Sequence, residues 1–540
     1  MSLIPERESY EACYRDFRWS IPDRLNIANI TCDRQAAWRP DQVGLIVEDE
    51  MGTVTRYRYR EIRQLANRLA NAYAALGISS GDRIAVVLSQ GVECLVAHLA
   101  AYKLGAISVP LSPLFGPEGL SHRLVDSATS LVVTDAEGAA AIAAVVDDIG
   151  TLRAILSTGG NGPGGELDLM ETLLKGSDHF DTADTAATDP AVLIYTSGTT
   201  GLPRGVLHAH QVLLGHLPGM EFCLGYFPKP GDLYWSPADW SWVAGLLDVI
   251  LPGFYHGVPV LARRFAKFEA EAAFDLMARH GVRNSLITPT ALKLMRQSRS
   301  EPARGVVLRS LCTGGEPMGT ELLEWGRSVF GLSINEIYGQ TEANVVVTSN
   351  AEVMSPRAGA IGKASPGHVV EIVGDNGQVV GPGEQGQIAV RRPNPVMFLE
   401  YWHSPKATAE KFIGNWCLTG DLGVKDQDGY IAFRGRVDDV INTSGYRIGP
   451  VEIETCLMRH PDVALVGVVG KPDASRGEII KAFVVTSEGV EGSDSLAHSL
   501  QSFVRRRLAA YQYPREIAFL DEMPVTVSGK IRREDLRALG

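Results

Sequence analysis

Residues 191–210, AVLIYTSGTTGLPRGVLHAH, decide how the rest of the chain is read. An apolar run from Val192 to Tyr195, β-branched and aromatic, stops at Thr196-Ser197-Gly198-Thr199-Thr200-Gly201, and a second apolar run resumes after Pro203-Arg204-Gly205. The pattern predicts strand, polar glycine loop, strand. The glycines let main-chain N–H groups converge and the hydroxyls add donors, so the loop can wrap phosphate oxygens as an anion nest. It is not a Walker A loop, which needs Lys and then Ser or Thr after its second glycine; here Leu202 and Pro203 follow Gly201.

Working outward toward the N-terminus, residues up to about Ile30 read as a lead-in segment that wraps the body. A helix is predicted over 56–76 from apolar residues at helical spacing (Ile62, Leu65, Leu69, Ala72, Leu76), then a strand over 83–88. A helix over 92–104, closed by Gly105, leads into a strand over 107–111; a strand over 130–134 precedes an alanine-rich helix over 137–146. Such alternation implies a layered α/β domain. Gly77-Ile78-Ser79-Ser80-Gly81 fits GxSxG, but a nucleophile elbow runs strand, turn, helix, and here a helix comes first. It reads as a helix cap and turn. Residues 160–165 fit GxGxxG, yet the next strand ends in Tyr195-Thr196 rather than in an acid, so a solvated loop is the better reading.

Toward the C-terminus, 234–251 places Tyr234, Trp235, Trp240 and Trp242 close together, which on its own reads as core packing. A helix, a short strand over 284–288 and a helix begun by Pro289 follow. A strand over 308–313 ends in Thr313-Gly314-Gly315-Glu316-Pro317, and a strand over 334–338 runs into Tyr338-Gly339-Gln340-Thr341-Glu342. Two strands ending in glycine-flanked polar residues put both loops at one edge of a sheet, where α/β proteins bind ligands. Alternating strands over 369–373 and 386–391 suggest a small β-barrel-like subdomain rich in turns. Three further motifs follow: Thr419-Gly420-Asp421, the run GYIAFRGRVDDVINTSGYRIGPVEIE over 429–454, and PVTVSGKIR over 524–532.

Length and charge bound the possibilities. A chain of 540 residues is too long for one core and implies several subdomains. With 45% hydrophobic and 21% charged residues it is globular rather than disordered. A net charge of −12 argues against a nucleic-acid binder, so any polyanionic ligand must be held locally by loops, a metal ion or a few cations. Seven scattered cysteines without a CxxC favour reduced thiols over a disulfide frame or zinc site, which predicts a cytoplasmic protein. The N-terminal residues lack the apolar core of a signal peptide, and nothing approaches the ~18 apolar residues of a membrane span.

YTSGTTGLPRGV resembles the phosphate loop of the adenylate-forming superfamily, which includes acyl- and aryl-CoA synthetases, peptide-synthetase adenylation domains and beetle luciferases. The likeness runs in family order from Tyr195 to Lys530. Arg204 stands where the family usually has Lys, which keeps the charge but not the compact ammonium. The resemblance implies that Thr196–Gly201 and Arg204 hold ATP phosphates, that Glu316, Pro317 and Tyr338 bracket the adenine, that Gly315 and Gln340 belong to the same ATP/AMP site, that Thr341 touches the α-phosphate and that Glu342 reaches magnesium. A carboxylate oxygen suits a hard cation between phosphates. It further implies that Trp242, Val243, Ala244 and Gly339 line the acyl pocket, that Asp421 holds ribose, and that Arg436 contacts ribose or phosphate. Asp438 would be the hinge, Gly445 would face the pantetheine arm, Arg447 would seat the C-terminal domain, and Lys530 would be the catalytic lysine.

The implied fold is a large N-terminal AMP-binding domain, 1–436, of layered α/β subdomains with the β-barrel-like part, and a small mobile α+β domain, 437–540. The implied reaction joins a carboxylic acid to coenzyme A with ATP and Mg2+, through an acyl-adenylate. Acetate-specific members carry a tryptophan at the Gly339 step, so an acid larger than acetate is expected. Ala343-Asn344 departs from the usual Thr-Gly. The PxxxxGK pattern ending at Lys530 matches one acetylated in related bacterial synthetases, so regulation at that lysine is expected. The rivals are a stand-alone adenylation enzyme or aryl-CoA ligase serving another acceptor, a luciferase-type oxygenase and a non-catalytic nucleotide sensor. Monomer and homodimer both stay open.

Overall fold

The computed structural model describes residues 2–539 apart from 163–164, 197–202, 317, 358, 444–445, 474–476, 509–511 and 527–528, and it leaves out the side chains at 438, 442, 446, 447, 452 and 477. Ser197 to Gly201, Pro317, Gly445 and part of the GxGxxG stretch therefore lie outside the described residues, as do the side chains of Asp438 and Arg447. The chain forms two compact units. The first is Met1–Arg357 with Gly362–Val369 and Arg391–Asn415; the second is Ala358–Ile361 with Val370–Val390 and Trp416–Gly540. Residue 436, at the expected domain division, lies within the second unit.

The first unit holds two large sheets. In one, Ile107–Pro110, Arg83–Val87, Leu131–Thr134 and Ala154–Ser157 run parallel, as the alternating pattern predicts, and Pro190–Thr196 joins them and pairs antiparallel with Arg204–Ala209. In the other, Tyr234–Trp235, Asn284–Leu286, Ser310–Gly314 and Asn335–Gln340 are parallel neighbours. Ala343–Thr348 then returns antiparallel along Asn335–Gln340. Helix Val92–Leu104 is buried along nearly its whole length and ends at Gly105 with φ 72°, a left-handed turn that glycine adopts at little cost. Gly77 has φ 79° and Ser80 Oγ donates to the Gly105 carbonyl, so the GxSxG match is indeed a helix end and turn.

The second unit contains a sheet of Val370–Val373, Gln385–Arg391, Trp416–Lys425 and Ile431–Arg436, in which the first two strands and the last two pair antiparallel. Beyond it, Val463–Asp473 and Gly477–Thr486 form a long antiparallel pair flanked by Glu516–Phe519 and the hairpin Ile441–Thr443/Tyr446–Ile448. Pro450 opens the helix Pro450–Leu457, a position where its missing N–H costs nothing. Among the described residues no helix is long and apolar enough to cross a membrane.

One segment departs from the sequence reading, and one helix lies where that reading assigns no element. The helix expected from 56 starts at Tyr59, because Val54–Arg58 pairs with Val43–Glu48 as a hairpin and Glu61 caps the helix by accepting from the Arg58 N–H at 2.7 Å. Helix Val212–Cys223 is buried on every side, so it carries no polar stripe for a periodicity argument to find.

Candidate active site

The Pro190–Thr196/Arg204–Ala209 pair closes at Thr196 opposite Arg204, so the polar glycine stretch is the connection of a hairpin. Its base is braced from beneath. Tyr195 O–H donates to Asp126 at 2.6 Å, and burial together with that carboxylate pushes the phenol well above its ordinary range. His122 Nε2 lies 3.0 Å from the Pro203 carbonyl, and its ring meets Tyr195 edge-on. The Arg204 guanidinium is 5.8 Å from the centre of the Tyr401 ring, within cation–π range.

Tyr401 connects this hairpin to the second sheet. Glu400–Tyr401 pairs antiparallel with Val206 and Leu207, and the Tyr401 hydroxyl donates to Glu342 Oε1. Glu342 is 8% exposed and lies in the turn between Asn335–Gln340 and Ala343–Thr348, with Thr341 beside it. Lys411 Nζ donates to Gln340 Oε1 at 2.8 Å and lies 3.9 Å from Glu342 Oε1. Neither Tyr401 nor Lys411 stands out in the sequence. Their only signal would have been a tyrosine and a lysine on a segment that pairs with the loop hairpin.

The adenine candidates sit at the carboxyl ends of adjacent parallel strands. Gly314 pairs with Ile337, one residue before Tyr338, and Gly315 turns the chain with φ 86°. Glu316 accepts from Thr290 Oγ1 at 2.6 Å, which ties the loop to the start of helix Pro289–Ser298.

Trp242, Val243 and Ala244 are each partly exposed, unlike the buried Trp235 and Trp240. Trp242 meets Phe115 edge-on at 6.1 Å, and the Arg123 guanidinium covers Phe115 at 3.9 Å, so Phe115 joins the candidate wall. The same stretch continues through the π-helical turn Leu246–Ile250 to Asp248, which accepts from Asn344 Nδ2 at 2.8 Å and pairs with His216 Nδ1 at 2.6 Å. Burial raises the Asp248 carboxyl, against the lowering effect of His216. This buried triad links the candidate acyl-wall segment to the Glu342 turn.

Gly339 answers to strand packing. A Cβ there would stand 2.5 Å from Asn344 Cα and 2.6 Å from Val345 N, which are main-chain atoms that cannot rotate away. Gly339→Ala is therefore expected to cost about 1–3 kcal/mol of stability by overpacking. Denaturant unfolding measures it, and an unchanged midpoint would show that the turn yields freely.

In the second unit, Asp421 and Arg436 face each other across the Trp416–Lys425/Ile431–Arg436 ladder, with Arg436 Nη1 donating to Asp421 Oδ1 at 3.1 Å. Thr419 supports Asp421 by accepting its N–H. Asp439, just past the candidate hinge at Asp438, is held by Arg533 at 3.2 Å and Arg537 at 2.7 Å. Arg447 is paired through its backbone with Asn442. Lys530 is exposed on a turn in which Thr526 and Lys530 bond each other: Thr526 N–H donates to the Lys530 carbonyl at 2.7 Å, and the Lys530 N–H to Thr526 Oγ1 at 3.1 Å.

Among the described residues no group of three or more His, Cys, Asp or Glu gathers to hold a metal ion. Glu342 nonetheless fits magnesium brought by a nucleotide, since that ion takes one or two carboxylates and completes its shell with phosphate and water. Its carboxylate is already aimed by Tyr401.

The AMP-binding enzyme model matches residues 32–402, and the AMP-binding enzyme C-terminal domain model matches residues 452–530. The chain is 34% identical to the acetyl-coenzyme A synthetase of Bacillus subtilis (strain 168), across 98% of this chain and 95% of that one. It is 32% identical to the mitochondrial acyl-coenzyme A synthetase ACSM3 of Rattus norvegicus, across 99% and 94%. Its fold is similar to that of the anthranilate CoA ligase AuaEII in complex with anthranoyl-AMP, with a TM-score of 0.88 at 25% identity over 96% of this chain and 98% of that one. The chain thus belongs to the AMP-binding, adenylate-forming enzymes, in their acyl-CoA synthetase branch.

Proposed function

We propose that this enzyme joins a carboxylic acid larger than acetate to coenzyme A, converting ATP to AMP and pyrophosphate through an acyl-adenylate. The observation that carries the reading is the bridge made by Tyr401, which bonds Glu342 on one side and lies within cation–π range of Arg204 on the other. One side chain thereby couples the carboxylate suited to the nucleotide's metal to the base of the phosphate hairpin.

The first step brings a carboxylate up to a polyphosphate, so positive charge and N–H donors must meet both. In this reading the residues 196–201 and Arg204 hold the departing phosphates, Thr341 contacts the α-phosphate, and Lys530 lies between carboxylate and phosphorus. Magnesium at Glu342 would neutralise phosphate charge as a Lewis acid. The second step needs a thiol path instead of a bridging lysine. A swing about Asp438 would withdraw Lys530 and present Gly445 and Arg447. Asp439 supports that pivot, because its two arginine bonds oblige it to move with the last helix.

The size of the acid is supported by the partly exposed Trp242, Val243 and Ala244 with Phe115, an apolar and aromatic wall suited to a short-to-medium-chain, branched or cyclic acid. All seven cysteines are buried thiols outside any disulfide, which suits work in the reducing cytoplasm. The enzyme is proposed to work as a monomer or homodimer. Pyrophosphate release over a panel of C2 to C10 and cyclic acids, with and without coenzyme A, tests the reading. The expected result is AMP, acyl-CoA and an optimum above acetate. A sharp acetate optimum refutes the size, ADP refutes the reaction, and pyrophosphate exchange without free acyl-CoA points to another acceptor.

A further inference from the structure

The segment 398–412 closes on the catalytic turn with three different groups. The Phe398 N–H donates to the Glu342 carbonyl at 2.8 Å, the Tyr401 hydroxyl donates to Glu342 Oε1, and Lys411 Nζ donates to Gln340 Oε1 at 2.8 Å while standing 3.9 Å from Glu342 Oε1. The segment is braced internally. Phe398 and Phe412 stack at 6.0 Å with rings 5° from parallel, and Thr408 accepts at Oγ1 from the Tyr401 N–H and at its carbonyl from the Lys411 N–H. Lys411 is thus fixed to the same frame that aims Tyr401.

Both charged side chains are largely withdrawn from water, 15% exposed for Lys411 and 11% for Glu342. At that depth a carboxylate without a cation is costly, and a cation at 3.9 Å is screened far less than at the surface. A divalent ion approaching Glu342 meets a position already served by one positive charge. The ammonium's hydrogen bond goes to Gln340 Oε1, and Glu342 is an ion-pair neighbour at 3.9 Å, so Lys411 can yield Glu342 without leaving the site.

We propose that Lys411 is a positioning residue of the adenylation centre, an ammonium that serves Glu342 in the metal's stead until the magnesium nucleotide arrives. It keeps the Gln340–Glu342 turn charged and aimed between turnovers, and it supplies the positive charge that lets nucleotide settle before the metal does. The proposal rests on the adenylation reading of Glu342.

Calorimetric titration of a non-hydrolysable ATP analogue into the full-length protein, from chelated to saturating magnesium, tests it. Lys411→Met is expected to weaken analogue binding roughly tenfold with metal chelated and by no more than about twofold at saturating magnesium, since the lost charge is then replaced. Lys411→Arg, which keeps the charge, is expected to retain metal-free binding. Equal weakening of Lys411→Met at every magnesium level would assign Lys411 a merely structural part and overturn the proposal, as would no change at all. Failure of the wild-type protein to bind the analogue at any magnesium level would overturn the adenylation reading along with it.

Discussion

Lys530→Ala is expected to lose adenylation by roughly 100- to 1000-fold, on the order of 3–4 kcal/mol, which is the size of effect seen when one preorganised charge is removed from a developing anion. The same variant is expected to convert supplied acyl-AMP and coenzyme A to thioester at close to the wild-type rate. The split follows from the chemistry of the two steps. Only the first forces two anions together, and the ammonium has no such task once the adenylate exists. Lys530 is solvent-exposed on a short turn bonded through Thr526, so alanine there removes the charge with little packing consequence. Acetylation at Lys530, proposed as a regulatory form, neutralises the same ammonium and is expected to reproduce the same split. Measuring the half-reactions separately, by acid-dependent pyrophosphate release and by thioester formation from acyl-AMP, checks both. An equal loss in the two would remove the lysine from its assigned step.

The parts of this site legible in the sequence are those whose chemistry is local. The polar glycine stretch is bounded by β-branched runs, and these become the paired strands Pro190–Thr196 and Arg204–Ala209. Glycine-flanked strand ends at Gly315 and Gly339 become neighbouring loops because their strands pair in parallel. Tyr401 and Lys411 are different in kind. Their partners Glu342 and Gln340 are distant in sequence, and the encounter depends on Glu400–Tyr401 adding to the edge of the hairpin sheet, which nothing near residue 400 announces. The triad of His216, Asp248 and Asn344 was hidden for the same reason, since each member lies on a different element and reads alone as an ordinary core or surface residue. Gly339 was legible as a glycine but not in its cause. The sequence suggests room for a substrate, whereas the structure shows another strand occupying that direction.

Glu336 yields the second large effect. It lies on the strand Asn335–Gln340, two residues before Tyr338, and is paired in register with Thr313 just ahead of the Gly315–Glu316 loop. Burial pushes its carboxyl up to about 8 from an ordinary 4.5, with a hydrogen bond from the Met318 amide favouring the ionised form. The folded protein therefore keeps a proton that the unfolded chain releases, so stability is fullest below pH 4.5 and falls as pH rises toward 8. By pH 7 the loss at this one group is on the order of 3 kcal/mol. Glu336→Gln keeps the shape and cannot ionise, so its advantage over the wild type in denaturant unfolding is expected to be near zero at pH 4.5 and to grow steadily to pH 8. A difference that stays constant with pH would mean that Glu336 is ionised at no cost in the folded state. Because the Met318 amide belongs to the stretch that carries Glu316, the same proton is expected to tune the candidate adenine loop as well. Wild-type affinity for the ATP analogue is then expected to change between pH 7 and 9 in a way that Glu336→Gln does not.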